Sequence, residues 1–368
     1  MSLSTEPKLI SYLHSKGIEK GIPVSGTFEL TSRCNFRCEM CYVHGENCKS
    51  KELSAEEWIA LGECAKDAGT VFLLLTGGEP LLRDDFRRIY SELGKMGFVL
   101  SLNTNGSLVH NYFDLFTSNP PSRINISLYG ADGATYENLC KTDKFSVVVE
   151  NIKKLKELNI PVKINTVLTD KNAHQCKEII SLAQELGVQI STTAYAYPQV
   201  RLNDDYGSNS TRLSYSEAAK ATVDCELFRY GKEAFLARAS KYLTLSNGMP
   251  VNTVRCRAGR SSFWITSQGI MRACGMLPQL EAMPLESGFE VAWETVKQKT
   301  KEVRLPLECL SCKFSEICRA CAAMCYAETG AFDKKPEYVC KLAEEVYNLT
   351  LKEYNKIKSE GEDTDENQ

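Results

Sequence analysis

No apolar run in the chain approaches the roughly 18–20 residues that a membrane-spanning helix needs. The N-terminal stretch MSLSTEPKLISYLHSKGIEKG has no apolar core of the kind a secretory signal carries. The sequence therefore predicts no membrane association and a cytoplasmic location. An excess of one charge sign is missing as well: 44 Lys and Arg face 47 Asp and Glu, for a net charge of −3. That balance excludes the basic footprint of a nucleic-acid binder or a polybasic membrane anchor. Hydrophobic residues make up 43% and charged residues 25% of 368 positions, ordinary values for a globular chain of about two domains.

What the chain does have is 16 cysteines. A secreted disulfide scaffold would be shorter and would carry a signal, so this number points to metal or redox chemistry. Three cysteines cluster at 34–41 and eight lie between 256 and 340, while Cys48, Cys64, Cys140, Cys176 and Cys225 are scattered.

From Thr27 onward an apolar strand-like run, a polar or glycine turn and a helical pattern alternate. Strands are predicted at 27–31, 71–75, 99–103, 124–128, 162–168 and 189–194, with helices at 54–68, 84–96, 111–118, 147–158 and 173–186. Ser54 and Glu57 have capping-box spacing, and Gly187 stands where a helix-ending glycine belongs. Six such units predict an α/β fold with a parallel sheet and right-handed crossovers, short of the eight that close a barrel. The expected architecture is a partial (β/α)6 TIM-like barrel over 26–197, preceded by a leader at 1–25 with one helix near 7–16. A linker with bridging helices follows at 198–255, then a small cysteine-rich domain at 256–345 and a C-terminal segment at 346–368. The end of that segment, 359–368, is acidic and apolar-free and is predicted to be disordered. The working face should be the rim at the strand C-termini.

That rim carries Cys34-Asn-Phe-Arg-Cys38-Glu-Met-Cys41-Tyr42, directly after the first strand. Three thiolates in one loop suit a polynuclear iron–sulfur centre; a four-iron cube held by three thiolates keeps one iron open, whereas structural zinc wants a fourth protein ligand. At these residues the chain resembles the radical S-adenosylmethionine (radical SAM) superfamily, with its CxxxCxxC signature and neighbouring aromatic. Thr76-Gly77-Gly78-Glu79-Pro80 at the end of strand two resembles that family's GGEP motif. The resemblance implies S-adenosylmethionine and a [4Fe–4S] cluster as cofactors, with Cys34, Cys38 and Cys41 as cluster ligands. It places Gly77, Gly78 and Glu79 at the methionine amino group. It also brings Asn103, Asn105, Ser127 and Asn165, at the ends of strands three to five, to the cofactor. Some relatives hold an Arg in the helix after strand four, where this chain offers Lys141.

The second field runs Cys256-x12-Gly269-x4-Cys274, then Cys309-x2-Cys312-x5-Cys318-x2-Cys321-x3-Cys325, then Cys340. It resembles the SPASM extension of radical SAM enzymes that modify peptides and proteins, which implies two auxiliary clusters. The family position 322 is Ala322 here, flanked by Cys321 and Cys325. Cys256 and Cys274, with Cys321 or Cys325 or both, would hold the inner auxiliary cluster; Cys309, Cys312, Cys318 and Cys340 would hold the outer one. The alternative is a zinc site of Cys309, Cys312, Cys318 and Cys321, at a spacing tighter than the usual zinc ribbon.

The resemblance implies a 5′-deoxyadenosyl radical that takes hydrogen from a peptide or protein, in ribosomal peptide maturation by crosslinking, epimerisation or oxidation. It also implies an electron donor such as flavodoxin or ferredoxin. The 25 residues before the barrel are too few for a fused leader-binding module, so a separate protein would present the peptide, or the rim and the 198–215 loop would. Gly275 after Cys274 departs from the acid of sulfatase-maturing relatives. Cys225, and to a lesser degree Cys48, are candidate hydrogen-atom donors. Cys64, Cys140 and Cys176 read as packing residues, His14, His110 and His174 as surface residues, and Tyr129 and Tyr195 as rim residues. A non-catalytic iron–sulfur or zinc scaffold for electron transfer is the competing function; it would have no use for the intact Gly77–Glu79 motif.

Overall fold

The computed structural model describes residues 8–42, 51–199, 201, 206–207, 209–243, 248–249, 251–318 and 320–365. After helix α1 (Lys8–Lys20), six strands and their helices alternate: β1 (Ser25–Glu29), α2 (Ala55–Asp67), β2 (Phe72–Thr76), α3 (Phe86–Lys95), β3 (Val99–Thr104), α4 (Phe113–Ser118), β4 (Arg123–Ser127), α5 (Gly133–Cys140), α6 (Phe145–Glu157), β5 (Val162–Val167), α7 (Cys176–Glu185) and β6 (Gln189–Thr193). All six strands pair in parallel, as the alternation predicts. The Ser54 and Glu57 capping box opens α2, and Gly187 follows α7 with φ +63.

One face of this sheet is apolar and the other is not. Phe28, Leu73, Leu75, Leu100, Leu102, Ile124, Ile126, Ile164 and Ile190 are buried in the main core, together with Trp58, Phe86, Ile89, Val148, Ile152 and Ile179 of the helices. The registers place the alternate residues on the opposite face: Glu29 beside Thr76, Asn103 beside Asn125, Asn125 beside Lys163, Ser127 beside Asn165, and Asn165 beside Ser191. A strand face this polar is not a packing surface.

The chain continues through α8 (Tyr215–Tyr242), kinked at Gly231, β7 (Ser262–Ile265), β8 (Met271–Arg272), β9 (Glu281–Ala282), α9 (Pro284–Ser287), α10 (Phe289–Glu302), α11 (Ala322–Thr329) and α12 (Glu337–Asp365). The sheet has nine strands in the order β6-β5-β4-β3-β2-β1-β7-β8-β9. β7 pairs in parallel with β1, so the cysteine-rich region is joined to the barrel sheet by a strand.

Four expectations are corrected. Helix α5 was not among the predicted helices; it has only eight residues, is capped by Asp132 and ends at left-handed Lys141. His14 is buried and its Nδ1 meets Ser261 Oγ at 2.9 Å, because α1 packs on the turn before β7. Cys64 is exposed: Trp58, Leu61, Gly62 and Ala65 form the buried stripe of α2, and position 64 turns away from it. The acidic tail is helical through Asp365 as the continuation of α12. Among the described residues, no helix is long and apolar enough to cross a membrane.

Candidate active site and cysteine centres

The triad loop leaves β1 at its C-terminal end and is fastened on two sides. On one side the Gly77-Gly78-Glu79 turn pairs with the segment before Cys34: Gly78 N–H donates to Thr31 C=O at 2.7 Å and Glu79 N–H to Arg33 C=O at 2.8 Å. A Cβ on Gly78 would lie 2.3 Å from the Arg33 oxygen, and one on Gly77 2.5 Å from the Thr31 oxygen, so only glycine allows this approach. On the other side the end of α5 holds the loop. Arg37 N–H donates to Cys140 C=O at 3.2 Å and Glu39 N–H to Leu139 C=O at 3.1 Å.

Glu79 is fully buried, and its carboxylate is occupied by the protein. It accepts from Leu81 N–H at 3.1 Å, Thr104 Oγ1 at 2.8 Å and Asn105 N–H at 2.7 Å, which ties the ends of β2 and β3 together. Burial pushes its carboxyl up to about 7, against the pull of those donors. Asn105 then reaches the triad, donating through Nδ2 to Asn35 Oδ1 at 2.8 Å, with Cys34 Sγ at 3.9 Å.

The donor set fits a cationic cluster. Burial pushes the Cys34 thiol up to about 12, with Glu79, Cys38 and Cys41 adding to the rise. Cys38 is held well above the usual thiol range, first by its hydrogen bond with Cys140 and then by burial. Thiols that oppose one another's ionisation in this way become thiolates when a positive centre lies among them. The Tyr136 hydroxyl is buried without a hydrogen-bond partner among the described residues, and Cys140 and Cys38 are the charges it feels most. An orphan donor at that place suits an acceptor such as a cluster sulfur.

The C-terminal cysteines separate into two groups by the charges each feels. Cys274, pushed up by burial to about 11, is raised further by Cys321 and Cys256. Cys256, also raised by burial, likewise has Cys321 as its raising neighbour. Cys318 feels Cys312 and Cys309, and Cys340, pushed up by burial to about 12, feels Cys318 and Cys309. Burial pushes the Cys325 thiol up, and the charges of Cys321, then Cys309, Cys318 and Cys340, add to the rise. Cys34 and Cys318 accept the N–H two residues ahead, from Phe36 and Ala320, each at 3.4 Å. Cys256 and Cys274 do the same with Ala258 and Met276. Hydrogen bonds to sulfur of this kind tune iron–sulfur potentials. Among the described residues, no three His, Cys, Asp or Glu side chains are gathered closely enough to hold a single metal ion. Tetrahedral zinc would need its sulfurs within about 4 Å of one another, from Zn–S bonds of about 2.3 Å.

The family model of the radical SAM superfamily matches residues 28–183, which begin in β1 and end in α7. This chain carries a radical SAM domain over residues 28–183. It is therefore an enzyme whose cofactors are S-adenosylmethionine and a [4Fe–4S] cluster, and the scaffold alternative is set aside. Among curated relatives, the AdoMet-dependent heme synthase of Methanosarcina barkeri is 25% identical over 84% of this chain and 94% of its own length. A probable GTP 3′,8-cyclase of Saccharolobus solfataricus is 35% identical over 43% of this chain and 52% of its own length, so that match spans about half of the cyclase. In fold, the chain is similar to Streptococcus suis SuiB bound to its precursor peptide SuiA, with TM-score 0.67, 16% identity and coverage of 92% and 84%. It is also similar to anSMEcpe with bound AdoMet, with TM-score 0.64, 17% identity and coverage of 91% and 99%. The radical SAM domain is followed by a SPASM-like region.

The residues named from the sequence fall in different places around this radical SAM site. Asn103, Ser127 and Asn165 share the polar strand face, and Asn125, Lys163 and Ser191 complete it; Asn125 Nδ2 donates to Asn103 Oδ1 at 2.8 Å. The latter three were legible in the strand alternation, since they stand two residues from a named one or opposite it. Lys141 is held by Glu39 of the triad loop at 2.5 Å. Tyr195 donates to Glu328 at 2.6 Å and so ties the end of β6 to α11. Cys140, read as a packing residue, touches the triad through Cys38. Cys225 is corrected: it is buried in α8 and disulfide-bonded to Cys176 of α7, beside a cavity of about 350 Å³, so it presents no free thiol as a hydrogen-atom donor. Cys48 lies outside the described residues.

Proposed function

We propose that this radical SAM enzyme abstracts hydrogen from a peptide or protein. The observation that carries the reading is the eight-cysteine field joined by β7 to a radical SAM sheet, in a fold shared over 92% of the chain with SuiB, a protein whose structure holds a precursor peptide. Cys34, Cys38 and Cys41 would hold the cluster, and the Gly77-Gly78 turn would hold S-adenosylmethionine by its backbone. When bound, cluster and cofactor together supply a 5′-deoxyadenosyl radical. The chain's own part is placement: Asn103, Ser127 and Asn165 orient the nucleoside along the polar strand face, and the Glu79 network holds the triad loop rigid beside it. An electron donor of the flavodoxin or ferredoxin class supplies the reducing equivalent.

A second reading has its own support. The heme synthase likeness extends along nearly the whole of that relative, at higher identity than either solved structure. It would make the substrate a tetrapyrrole of the kind a heme synthase acts on. Anaerobically reconstituted enzyme is incubated with dithionite, S-adenosylmethionine and either the short peptides encoded beside its gene or an iron porphyrin carrying propionates. A peptide mass change coupled to 5′-deoxyadenosine supports the first reading. Conversion of the porphyrin with every peptide unchanged overturns it.

The inner auxiliary cluster is held by Cys256, Cys274 and Cys321, and the outer by Cys309, Cys312, Cys318 and Cys340. Cys321→Ala is expected to remove about 4 irons, one [4Fe–4S] unit, from a total of about 12. Cys325→Ala should lose less iron than Cys321→Ala. Iron analysis with Mössbauer spectra checks both; equal losses in the two variants would contradict the assignment.

A further inference from the structure

Glu29 ends β1 on the polar face of the sheet, and Arg201 follows β6. Both side chains are only 1% exposed. Their pairing is two-pronged: Arg201 Nη1 donates to Glu29 Oε2 at 3.0 Å and Nη2 to Oε1 at 2.9 Å. Trp264 of β7 donates its indole N–H to the same carboxylate at 2.8 Å. An ion pair buried this completely seldom stabilises a fold, because desolvation offsets the attraction. Its position supplies a different reason for it.

The pair lies between two of the cysteine centres. The Arg201 guanidinium stands 5.7 Å from the ring centroid of Tyr42, which follows Cys41 of the triad. Gln199, two residues earlier, donates to the Cys41 carbonyl at 3.3 Å. On the other side, the Trp264 ring packs against Gly275, where a Cβ would meet it at 2.9 Å; Gly275 follows Cys274 of the inner auxiliary group. Arg201 also draws the Cys274 thiol down against the burial that raises it, and buried Tyr42 feels Arg201, Glu29, Cys41 and Cys274 together.

We propose that the Glu29–Arg201 pair is a positioning element shared by the triad centre and the inner auxiliary centre, and that the balance of its two charges sets both reduction potentials. The proposal rests on the reading that Cys34, Cys38 and Cys41, and Cys256, Cys274 and Cys321, hold iron–sulfur clusters. Arginine stays charged in a protein, so its positive charge is permanent, and cluster potentials respond to nearby charge. Removing only the negative partner leaves a buried cation between the centres, which favours the reduced, more negative state of each. Removing only the cation does the reverse.

The test uses full-length, anaerobically reconstituted protein and redox titration followed by electron paramagnetic resonance, with iron content and far-ultraviolet circular dichroism as controls. The triad-to-alanine protein isolates the auxiliary signals. Glu29→Gln keeps the shape of the side chain and should raise both potentials. Arg201→Gln should lower them. Double replacement of both residues by Gln should return them toward the wild-type values. Opposite shifts are not the mark of a merely structural pair. Unchanged potentials, or shifts of the same sign in iron-replete single variants, overturn the proposal. Where one single variant fails to load iron, the other decides. Iron loss in both single variants also overturns it, since the pair would then serve the fold and not the centres. Wild-type protein without iron in the triad would instead fail the cluster reading, before any variant is measured.

Discussion

Replacement of Cys34, Cys38 and Cys41 together by alanine is expected to reduce 5′-deoxyadenosine formation to the limit of detection. The same protein should keep its fold, because the three thiols lie in a loop at the edge of the core, while Phe28, Trp58, Leu73 and Leu75 beneath it are unaltered. Iron should fall by one [4Fe–4S] unit, from about 12 to about 8 per chain. The physical reason is the donor set. Burial keeps the Cys34 thiol protonated and the hydrogen bond with Cys140 does the same for Cys38, and a cationic centre among them would turn them to thiolates. Chromatographic assay of 5′-deoxyadenosine with dithionite as reductant, alongside iron analysis, checks both parts. Normal cofactor cleavage by the triple variant would remove the triad from the chemistry.

Gly78→Ala should do nearly as much damage with one methyl group. The new Cβ would be placed 2.3 Å from the Arg33 oxygen and 2.8 Å from the Ser32 oxygen, distances that backbone atoms cannot tolerate. The turn would have to release its hydrogen bonds to Thr31 and Arg33, and with them the segment that aims Cys34. Cofactor cleavage is expected to fall at least about tenfold, the cost of a misplaced reacting group. Triad iron should be lost more readily than auxiliary iron, and the thermal midpoint should fall by a few degrees. Equilibrium binding of S-adenosylmethionine separates the two roles of the glycine. A variant that holds full triad iron but no longer binds cofactor would mean that Gly78 serves the methionine group alone. Loss of iron as well would mean that it serves the loop.

The barrel was legible because short apolar runs, turns and helical patterns alternate six times along the chain. Ile124 and Ile126 against Asn125 announce a packed face before any coordinates exist, whereas Phe72-Leu73-Leu74-Leu75 is read as a strand only by its short apolar run between turns. Ser54 and Gly187 marked helix ends because caps are local chemistry, written within four residues. Helix α5 escaped for the opposite reason: eight residues carry too little periodicity, and what secures it is the contact of its last turn with the triad loop.

The site divides along the same line. Spacing by itself determined that Cys34, Cys38 and Cys41 share a loop and that Gly77 and Gly78 make a tight turn, because both facts concern neighbours in the chain. Which partners a side chain meets across the fold was decided only by tertiary structure. Cys225 reads as a loose thiol in a linker, yet a long helix carries it against Cys176, 49 positions earlier. Cys321 and Cys325 stand equally well by count, and it is across the fold that Cys256 and Cys274 feel the charge of Cys321. The Glu29–Arg201 pair spans 172 positions and joins the ends of β1 and β6, to which β7 adds Trp264. No local pattern marks such a pair, because burial and pairing are properties of packed surfaces and not of the segments that supply them.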